Sequence, residues 1–177
     1  MQMDEGLDTG DMIMKTEVSV AADETGESLH DKLAAAGAKL CVETLKALED
    51  GTAVHEKQGE SPTAYAKMLT KELGNIDWTQ PAVKIERLIR GLDPWPGTYS
   101  HWNGKVMKIW KAKAEGSGGG DSQPGTVLSV GKNDFTVQTG DGILRILEVQ
   151  MPGKKRMDTG AFLRGNTMEP GNLLTQE

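Results

Sequence analysis

Three local signals follow one another within residues 85–112 and decide how this part of the chain must turn. Apolar side chains recur at three- and four-residue steps up to Leu92, a spacing that indicates a helix. A proline on each side of Trp95 then prevents the helix from continuing. Asn103 and Gly104 follow, and this pair is the strongest short signal for a β-hairpin because both residues accept positive φ. The stretch therefore predicts a helix, a rigid corner and a hairpin, in that order.

The predicted helix has an apolar face and a recognisable start. Its apolar face consists of Ala82, Ile85, Leu88, Ile89 and Leu92. Pro81 fits a first helical turn, and Thr79 is a good cap just before it. The pattern predicts an amphipathic helix that packs its apolar face on a core.

From Thr98 onward, short β-favouring runs alternate with turn residues. The candidate strands are residues 98–102, 105–112, 125–130, 134–139 and 143–150. A glycine-rich insert at residues 116–123 is predicted to be flexible. Five short strands at this spacing favour a small barrel or sandwich, and a five-stranded OB-like barrel is a reasonable choice. Strand count alone does not separate it from an SH3-like barrel. Asp158 then precedes a possible short helix and a polar tail.

Residues 1–52 have the pattern of an acidic loop, a strand and a helix. Residues 12–20 are β-favouring, and Thr25 is a plausible cap for a helical spacing, in one helix or two, that ends at Gly51. A strand and a helix of an α/β layer need further elements to cover their faces. We therefore expect this part to be the edge of a larger α/β domain, and the chain to be a truncation of a longer protein. Residues 53–72 are predicted to be a linker.

The net charge of −6 conceals a split between two halves of the chain. Residues 1–66 carry 5 basic and 14 acidic side chains, whereas residues 67–177 carry 15 basic and 12 acidic ones. A mildly basic second half permits a polyanionic partner. No apolar run approaches the ~20 residues of a membrane span, and the acidic N-terminus does not fit a signal peptide. A single cysteine fits a reducing cytoplasm, and one cysteine with three histidines builds no structural zinc site.

The basic residues of the second half lie in short clusters. Two of these clusters contain Lys108, Lys111, Lys113, Lys154, Lys155 and Arg156. Side chains alternate along a strand, which places Met107, Ile109 and Lys111 on one face with Lys105. The lysines are either ordinary solvated charges or contacts to the phosphates of a nucleic acid.

The four tryptophans, Trp78, Trp95, Trp102 and Trp110, are candidates for stacking on bases, as in some single-strand binders. Aromatic side chains at element junctions more often fill space, so we expect Trp95 and Trp110 to pack in the core. The glycines at residues 116–120 match no phosphate-binding fingerprint.

Three stretches of the sequence share a resemblance to one enzyme family. They are MQMDEGLDTGDM at residues 1–12, RLIRGLDPWPGTYS with KVMKIWKA at residues 87–112, and GDGILRILEVQMPGKKRM at residues 140–157. The first resembles the loop that carries the acidic active-site residue of the folate-dependent formyltransferases. The other two resemble the start of the C-terminal domain, and the last strand and basic turn, of the methionyl-tRNA formyltransferases. The resemblance covers nearly the whole chain in the right order.

The resemblance implies an α+β organisation. Residues 1–52 would be the C-terminal edge (loop, strand, helix) of an α/β formyltransferase domain. Residues 53–72 would be a linker, and residues 73–177 a small OB-like β-barrel domain that binds tRNA. The full-length enzyme would be a cytoplasmic monomer without a metal, and would transfer a formyl group from 10-formyltetrahydrofolate to the amine of initiator methionyl-tRNA.

Asp8 is the candidate catalytic residue. On the sequence alone, Asp among glycines is an ordinary turn residue. The resemblance implies that Asp8 assists proton transfer, and that the backbone of Glu5, Gly6, Leu7 and Asp8 contacts the folate. An asparagine and a histidine stabilise the oxyanion in this family. They belong to an upstream motif that this sequence does not contain, so we expect the chain alone to be nearly inactive.

The resemblance also implies which basic residues contact tRNA. These are Lys67, Lys71, Lys108, Lys111, Lys113, Lys154, Lys155 and Arg156. Two alternatives stay open. One is a non-enzymatic tRNA- or RNA-binding module to which residues 1–52 are attached as a scaffold. The other is a formyltransferase relative that acts on an amino sugar nucleotide, although the Gly-Lys-Lys-Arg turn favours tRNA.

Overall fold

The computed structural model describes residues 1–60, 63–116 and 120–176. They fall into two compact units, Met1–Met68 and Leu69–Glu177. Residues 117–119 of the predicted flexible insert lie outside the described residues. Within the described ranges, no helix combines the length and the apolar character that crossing a membrane requires.

Helix α1 (Gly26–Glu49) dominates the first unit. Thr25 is its N-cap, and Thr25 and Ser28 form a capping box in which each backbone N–H donates to the other side-chain oxygen, at 3.0 and 3.2 Å. The helix continues without a break to Asp50, and Gly51 follows with φ +68°. The predicted cap and end are confirmed, and the helix is single.

The buried carboxylate of Glu24 braces the start of α1. It accepts hydrogen bonds from Lys32, from the Ser28 hydroxyl and from the backbone N–H of Ala21. These hydrogen bonds lower the pKa of Glu24 from 4.5 to about 2, and the bond from Lys32 has the largest effect. Helix α1 itself buries no residue, and apolar side chains such as Val42 (69%) and Leu45 (61%) are exposed.

Residues 12–20 do not form the predicted strand. Met12 alone pairs, exchanging two backbone hydrogen bonds of 2.8 Å with Glu56. A strand needs a partner for its backbone groups, and the described part of the first unit offers residues 13–20 none. A β-favouring composition is therefore not enough to make these residues form a strand.

The second unit is built on an antiparallel sheet of six strands. They are β1 (Thr98–Trp102), β2 (Lys105–Glu115), β3 (Val127–Val130), β4 (Phe135–Gln138), β5 (Ile143–Gln150) and β6 (Met157–Asp158). The strand order is β1-β2-β5-β4-β3, with β6 on β5. The five predicted strands are confirmed, and so is the hairpin turn, where Asn103 and Gly104 have φ of 50° and 69°. The two-residue β6 was not predicted.

Two helices cover the sheet, α2 (Ala82–Gly91) and α3 (Thr159–Gly165). The predicted cap of α2 is wrong. Thr79 donates to the carboxylate of Asp77 through its N–H (3.0 Å) and its hydroxyl (2.6 Å), and Pro81 stands at the N-cap. The first helical N–H, that of Ala82, donates instead to the carbonyl of Asp141, 2.9 Å away in the β4–β5 turn.

One core fills the space between α2, α3 and the inner face of the sheet. Its largest members are Ile76, Trp78, Ile85, Ile89, Trp102, Met107, Ile109, Phe135, Leu144, Ile146, Phe162 and Leu174. The indole N–H of Trp78 donates to the buried hydroxyl of Ser100 at 3.0 Å, so this core tryptophan keeps a hydrogen bond.

The sheet is open, because its end strands β1 and β3 do not pair with each other. The described strands therefore do not form a closed barrel. The C-terminal segment (residues 171–175) lies along both end strands instead. Thr175 and His101 exchange backbone hydrogen bonds of 3.0 and 2.8 Å on the β1 side. On the β3 side, Gly171 donates to Val127 at 2.8 Å.

The predicted polar tail is wrong for this segment. Leu174 is 1% exposed within the core, and its N–H donates to the carbonyl of Gly125 at 2.8 Å. The tail is polar in composition, but the side chain of Leu174 anchors it in the core, and a count of residue types does not detect this.

Candidate active-site loop and basic surface

The first eleven residues form a closed loop in the first unit. The N–H of Gln2 donates to the carbonyl of Asp11 at 2.8 Å, and the Met12–Glu56 pair lies directly beyond it. Gly10 is buried where the two ends of the loop meet. A Cβ there would lie 1.8 Å from the carbonyl oxygen of Gln2, so only glycine allows this closure.

Asp8 lies at the exposed side of this loop with φ of 57°. This left-handed conformation is one that Asp and Asn adopt more readily than most residues. The side-chain amide of Gln58 donates to the carbonyl of Asp8 at 2.8 Å and to that of Gly10 at 2.6 Å. These bonds fix the backbone around Asp8 while its side chain faces solvent.

The other loop residues are also exposed. Glu5 donates its N–H to the carboxylate of Asp4 at 2.7 Å, and Gly6 and Leu7 are open to solvent. The predicted folate-contacting backbone is therefore accessible to a ligand.

Gln58 is a positioning residue that sequence reasoning missed. It lies in the predicted linker, 50 positions from Asp8, and a single polar amide there carries no pattern signal. Only the fold reveals its two hydrogen bonds.

Replacing Gln58 with alanine is expected to loosen the loop. Two backbone carbonyls lose a donor, and each net hydrogen bond contributes ~0.5–1.5 kcal/mol. Hydrogen exchange at the amides of Gln2 and Met12 should accelerate by about tenfold. The neighbouring Lys57→Ala should leave both rates unchanged. Equal rates in Gln58→Ala and the parent chain would show that the amide does not hold the loop.

Two of the basic residues on β2, Lys111 and Lys113, lie on the outer face of the sheet because of a β-bulge. Ile109 pairs with Val149, but the next pair is Lys111 with Glu148, so Trp110 is an extra residue on β2. The prediction that Lys111 shares a face with Ile109 is wrong, because the bulge reverses the alternation after Trp110. Lys111 is exposed.

The same reversal orders the end of β2. Ala112 and Ala114 pack against the core while Lys113 is exposed. Lys108, which precedes the bulge between the buried Met107 and Ile109, also points outward. One strand thus carries three outward lysines.

Trp110 lies on the outer face among cations rather than in the core. The Lys108 ammonium is 5.1 Å and the Arg156 guanidinium carbon 4.8 Å from the ring centroid. The indole N–H donates to the side chain of Gln150 at 3.0 Å. Trp95 is 56% exposed. Core packing was therefore the wrong prediction for Trp95, and Trp110 is only half-buried.

The arginines of the outer face are paired with carboxylates. Arg156 contacts Asp93 at 3.0 Å and also Glu148. Burial lowers the pKa of Arg156, but hydrogen bonds to Glu148 and Asp93 outweigh this and raise it. Arg145 contacts Glu115 at 2.8 Å and Asp134 at 2.6 Å. Both guanidinium groups are engaged in holding the sheet together.

The remaining predicted contacts to tRNA are lysines. Those that are exposed and make no ion pair with any described residue are Lys67, Lys71, Lys111, Lys113, Lys154 and Lys155. Lys67 belongs to the first unit and the other five to the second. In the described ranges, no group of three or more His, Cys, Asp or Glu is arranged to hold a metal ion.

Comparison with protein families shows the family to which the chain belongs. The family described as formyl transferase, C-terminal domain, matches residues 68–167, and the family described as formyl transferase matches residues 1–45. The chain therefore belongs to the formyl transferase family.

Three similar curated proteins are named methionyl-tRNA formyltransferase. Those of Agathobacter rectalis, Lachnospira eligens and Caldanaerobacter subterraneus are 59%, 49% and 45% identical to this chain over 98–99% of its length. The match covers 56% of each relative, so the chain spans little more than half their length.

Solved structures share the fold at low sequence identity. HypX from Aquifex aeolicus in complex with tetrahydrofolic acid superposes with a TM-score of 0.62 at 22% identity, over 97% of this chain and 32% of HypX. The sugar 3N-formyl transferase WlaRD superposes with a TM-score of 0.61 at 18% identity, over 86% of this chain and 53% of WlaRD.

Proposed function

We propose that this chain is the C-terminal part of a methionyl-tRNA formyltransferase. Residues 1–52 would complete a formyltransferase domain, and residues 53–72 would link this domain to the next one. Residues 73–177 would form that second domain and bind initiator methionyl-tRNA. The observation that carries the proposal is the similarity to relatives of that name over nearly the whole chain. The exposed apolar side chains of α1 support it, because such a face fits packing against the rest of a larger domain.

The active-site loop would act on the formyl donor, 10-formyltetrahydrofolate. Its accessible backbone from Glu5 to Leu7 fits contact with a flat heterocycle, and the exposed carboxylate of Asp8 fits proton transfer from the attacking amine. The donor is a substrate, and the reaction needs no metal. The single cysteine, Cys41, is exposed and unpaired, which fits a reducing cytoplasm.

The sheet unit would contact the tRNA backbone through its outward lysines. We propose that it functions as an OB-like barrel in which the C-terminal segment closes the gap between β1 and β3. Lysines without an ion pair can neutralise phosphates and release counterions, whereas Arg156 is already neutralised by two carboxylates. The lysines would therefore supply most of the salt-dependent affinity.

Binding of initiator methionyl-tRNA across a salt series tests this role. Four to six phosphate contacts predict a slope of log K against log salt near −3 to −5. The double variant Lys111→Gln/Lys113→Gln should bind about tenfold or more weakly at 0.1 M salt, with a slope shallower by ~2. The matched pair Lys39→Gln/Lys46→Gln, on exposed positions of α1, removes the same charge and should bind like the parent. Absence of binding at low salt, or equal weakening by both pairs, would contradict the role.

A further inference from the structure

A groove of about 850 Å³ lies beside α3 in the second unit. Three segments form its walls: the β1–β2 turn with the start of β2, the connection from β5 to β6 with the start of β6, and α3. The residues that line it are Gly104, Lys105, Val106, Met151, Pro152, Lys154, Met157, Ala161, Phe162, Gly165 and Asn166. This volume is in the range of sites that enclose small ligands, ~300–1,000 Å³.

The floor of the groove is apolar and adaptable. Met151 and Met157 are half-buried, and Val106 leaves 38% of its surface exposed. Phe162 supports the floor from the core, edge-on to Trp102 with ring centroids 5.5 Å apart. Methionine side chains mould themselves to flat rings because they are unbranched and polarisable. A planar heterocycle therefore fits this floor.

The rim of the groove is cationic. Lys105 and Lys154 are exposed on two of the three walls, and neither ammonium makes an ion pair with a described residue. Among the residues that the structure describes, no carboxylate lines this groove, whereas a smaller cavity of about 340 Å³ is lined by Asp158 together with Lys111 and Arg164. A ligand with one flat apolar part and an anionic part would complement both floor and rim.

We propose that this groove binds one unpaired nucleotide of an RNA chain, with its base on the methionine floor and its flanking phosphates at Lys105 and Lys154. The inference rests on the proposed tRNA-binding function and adds a subsite to it. Lys155 continues the positive charge beyond the groove, which favours a polymer over a free nucleotide. Bases of an RNA duplex are stacked out of reach, so the floor selects an unstacked base.

Methionine methyl resonances provide a direct test in the full chain. A single-stranded RNA tetranucleotide should shift the methyl signals of Met151 and Met157, which line the groove. The exposed Met14 of the first unit and the buried Met107 should not shift. A duplex with the same number of phosphates should leave all four unchanged. The variant Lys105→Gln/Lys154→Gln should weaken tetranucleotide binding about tenfold or more, and Lys84→Gln/Lys132→Gln should not.

The outcomes separate the subsite from the proposed function. If tRNA binds with the expected salt slope while the methyl signals of Met151 and Met157 do not shift, the proposed subsite is refuted and the proposed tRNA-binding role stands. If the duplex shifts these signals as strongly as the single strand, selection of an unpaired base is overturned. If neither tRNA nor the tetranucleotide binds, both proposals fail.

Discussion

A chain that ends at Pro170 is expected to lose most of the stability of its sheet unit. The C-terminal segment satisfies backbone groups at both open ends of the sheet, on His101 of β1 and on Gly125 and Val127 at β3. Without it these groups face water, and the core loses the buried Leu174. Domains are stable by only ~5–15 kcal/mol, so losing a buried leucine and several hydrogen bonds together brings the unit close to unfolding.

A single substitution separates the anchoring side chain from the backbone contacts. Leu174→Ala is expected to lower the free energy of unfolding by ~2–5 kcal/mol, because it leaves a cavity in the core. The melting temperature should fall by roughly 10 °C or more. Leu173→Ala is the matched control, since Leu173 is 39% exposed and next in sequence. Urea unfolding of both variants gives the comparison, and equal stability of the two would show that Leu174 does not anchor the segment.

Gly125 offers an independent test of the same closure. Its φ is 93°, and a Cβ there would lie 2.3 Å from the carbonyl oxygen of Leu174. Gly125→Ala should therefore displace the segment even with Leu174 in place. Both this variant and the truncation act on contacts between residues far apart in sequence.

Elements specified by local sequence were predictable. Thr25 and Ser28 cap α1 within four residues, and Asn103 with Gly104 sets the hairpin, so short-range rules suffice for both. Features that depend on distant partners were not predictable. Residues 12–20 have strand composition but no neighbouring strand among the described residues of their unit, and Leu174 finds its place only once β1 and β3 exist.

The basic surface also depends on a partner that is distant in sequence, and here a single extra residue makes the difference. Period-two alternation predicted that Lys111 shares a face with Met107 and Ile109, and the extra residue at Trp110 reverses that prediction. A bulge depends on the register between two strands, which β2 alone does not encode. The sequence predicts that these lysines lie on a strand, but the face on which each side chain lies depends on the pairing with β5.

The candidate active site was predictable only in part, and Asp8 shows why. The acidic, glycine-containing loop was recognisable by resemblance, but its anchoring by Gln58 was not. Under the proposed function, the oxyanion donors would belong to an upstream motif that this sequence does not contain. Each such donor typically contributes 10²–10³ in rate, so the chain alone is expected to show negligible formyl transfer.

Formyl transfer is therefore expected from a fusion in which the upstream part of the Agathobacter rectalis relative precedes this chain. That relative is 59% identical over 175 residues, so the part of it that this chain does not match is expected to dock on the first unit. Purified fusion protein, initiator methionyl-tRNA and 10-formyltetrahydrofolate give the assay. The isolated chain, measured beside it, should be inactive.

In that fusion, Asp8→Asn is expected to lower kcat by ~10²–10⁴, the usual contribution of a positioned general acid or base. Asparagine is the informative replacement, because it removes the charge yet tolerates the left-handed backbone at φ 57°. The substitution also keeps the backbone carbonyl of residue 8, which accepts the hydrogen bond from Gln58. A loss of rate with unchanged exchange at Gln2 and Met12 would therefore reflect lost chemistry rather than a displaced loop. Asp11→Asn is the control in the same loop and should keep kcat within about twofold, as a substitution that removes no transition-state contact does. An Asp8→Asn enzyme as fast as this control would refute the assignment of Asp8.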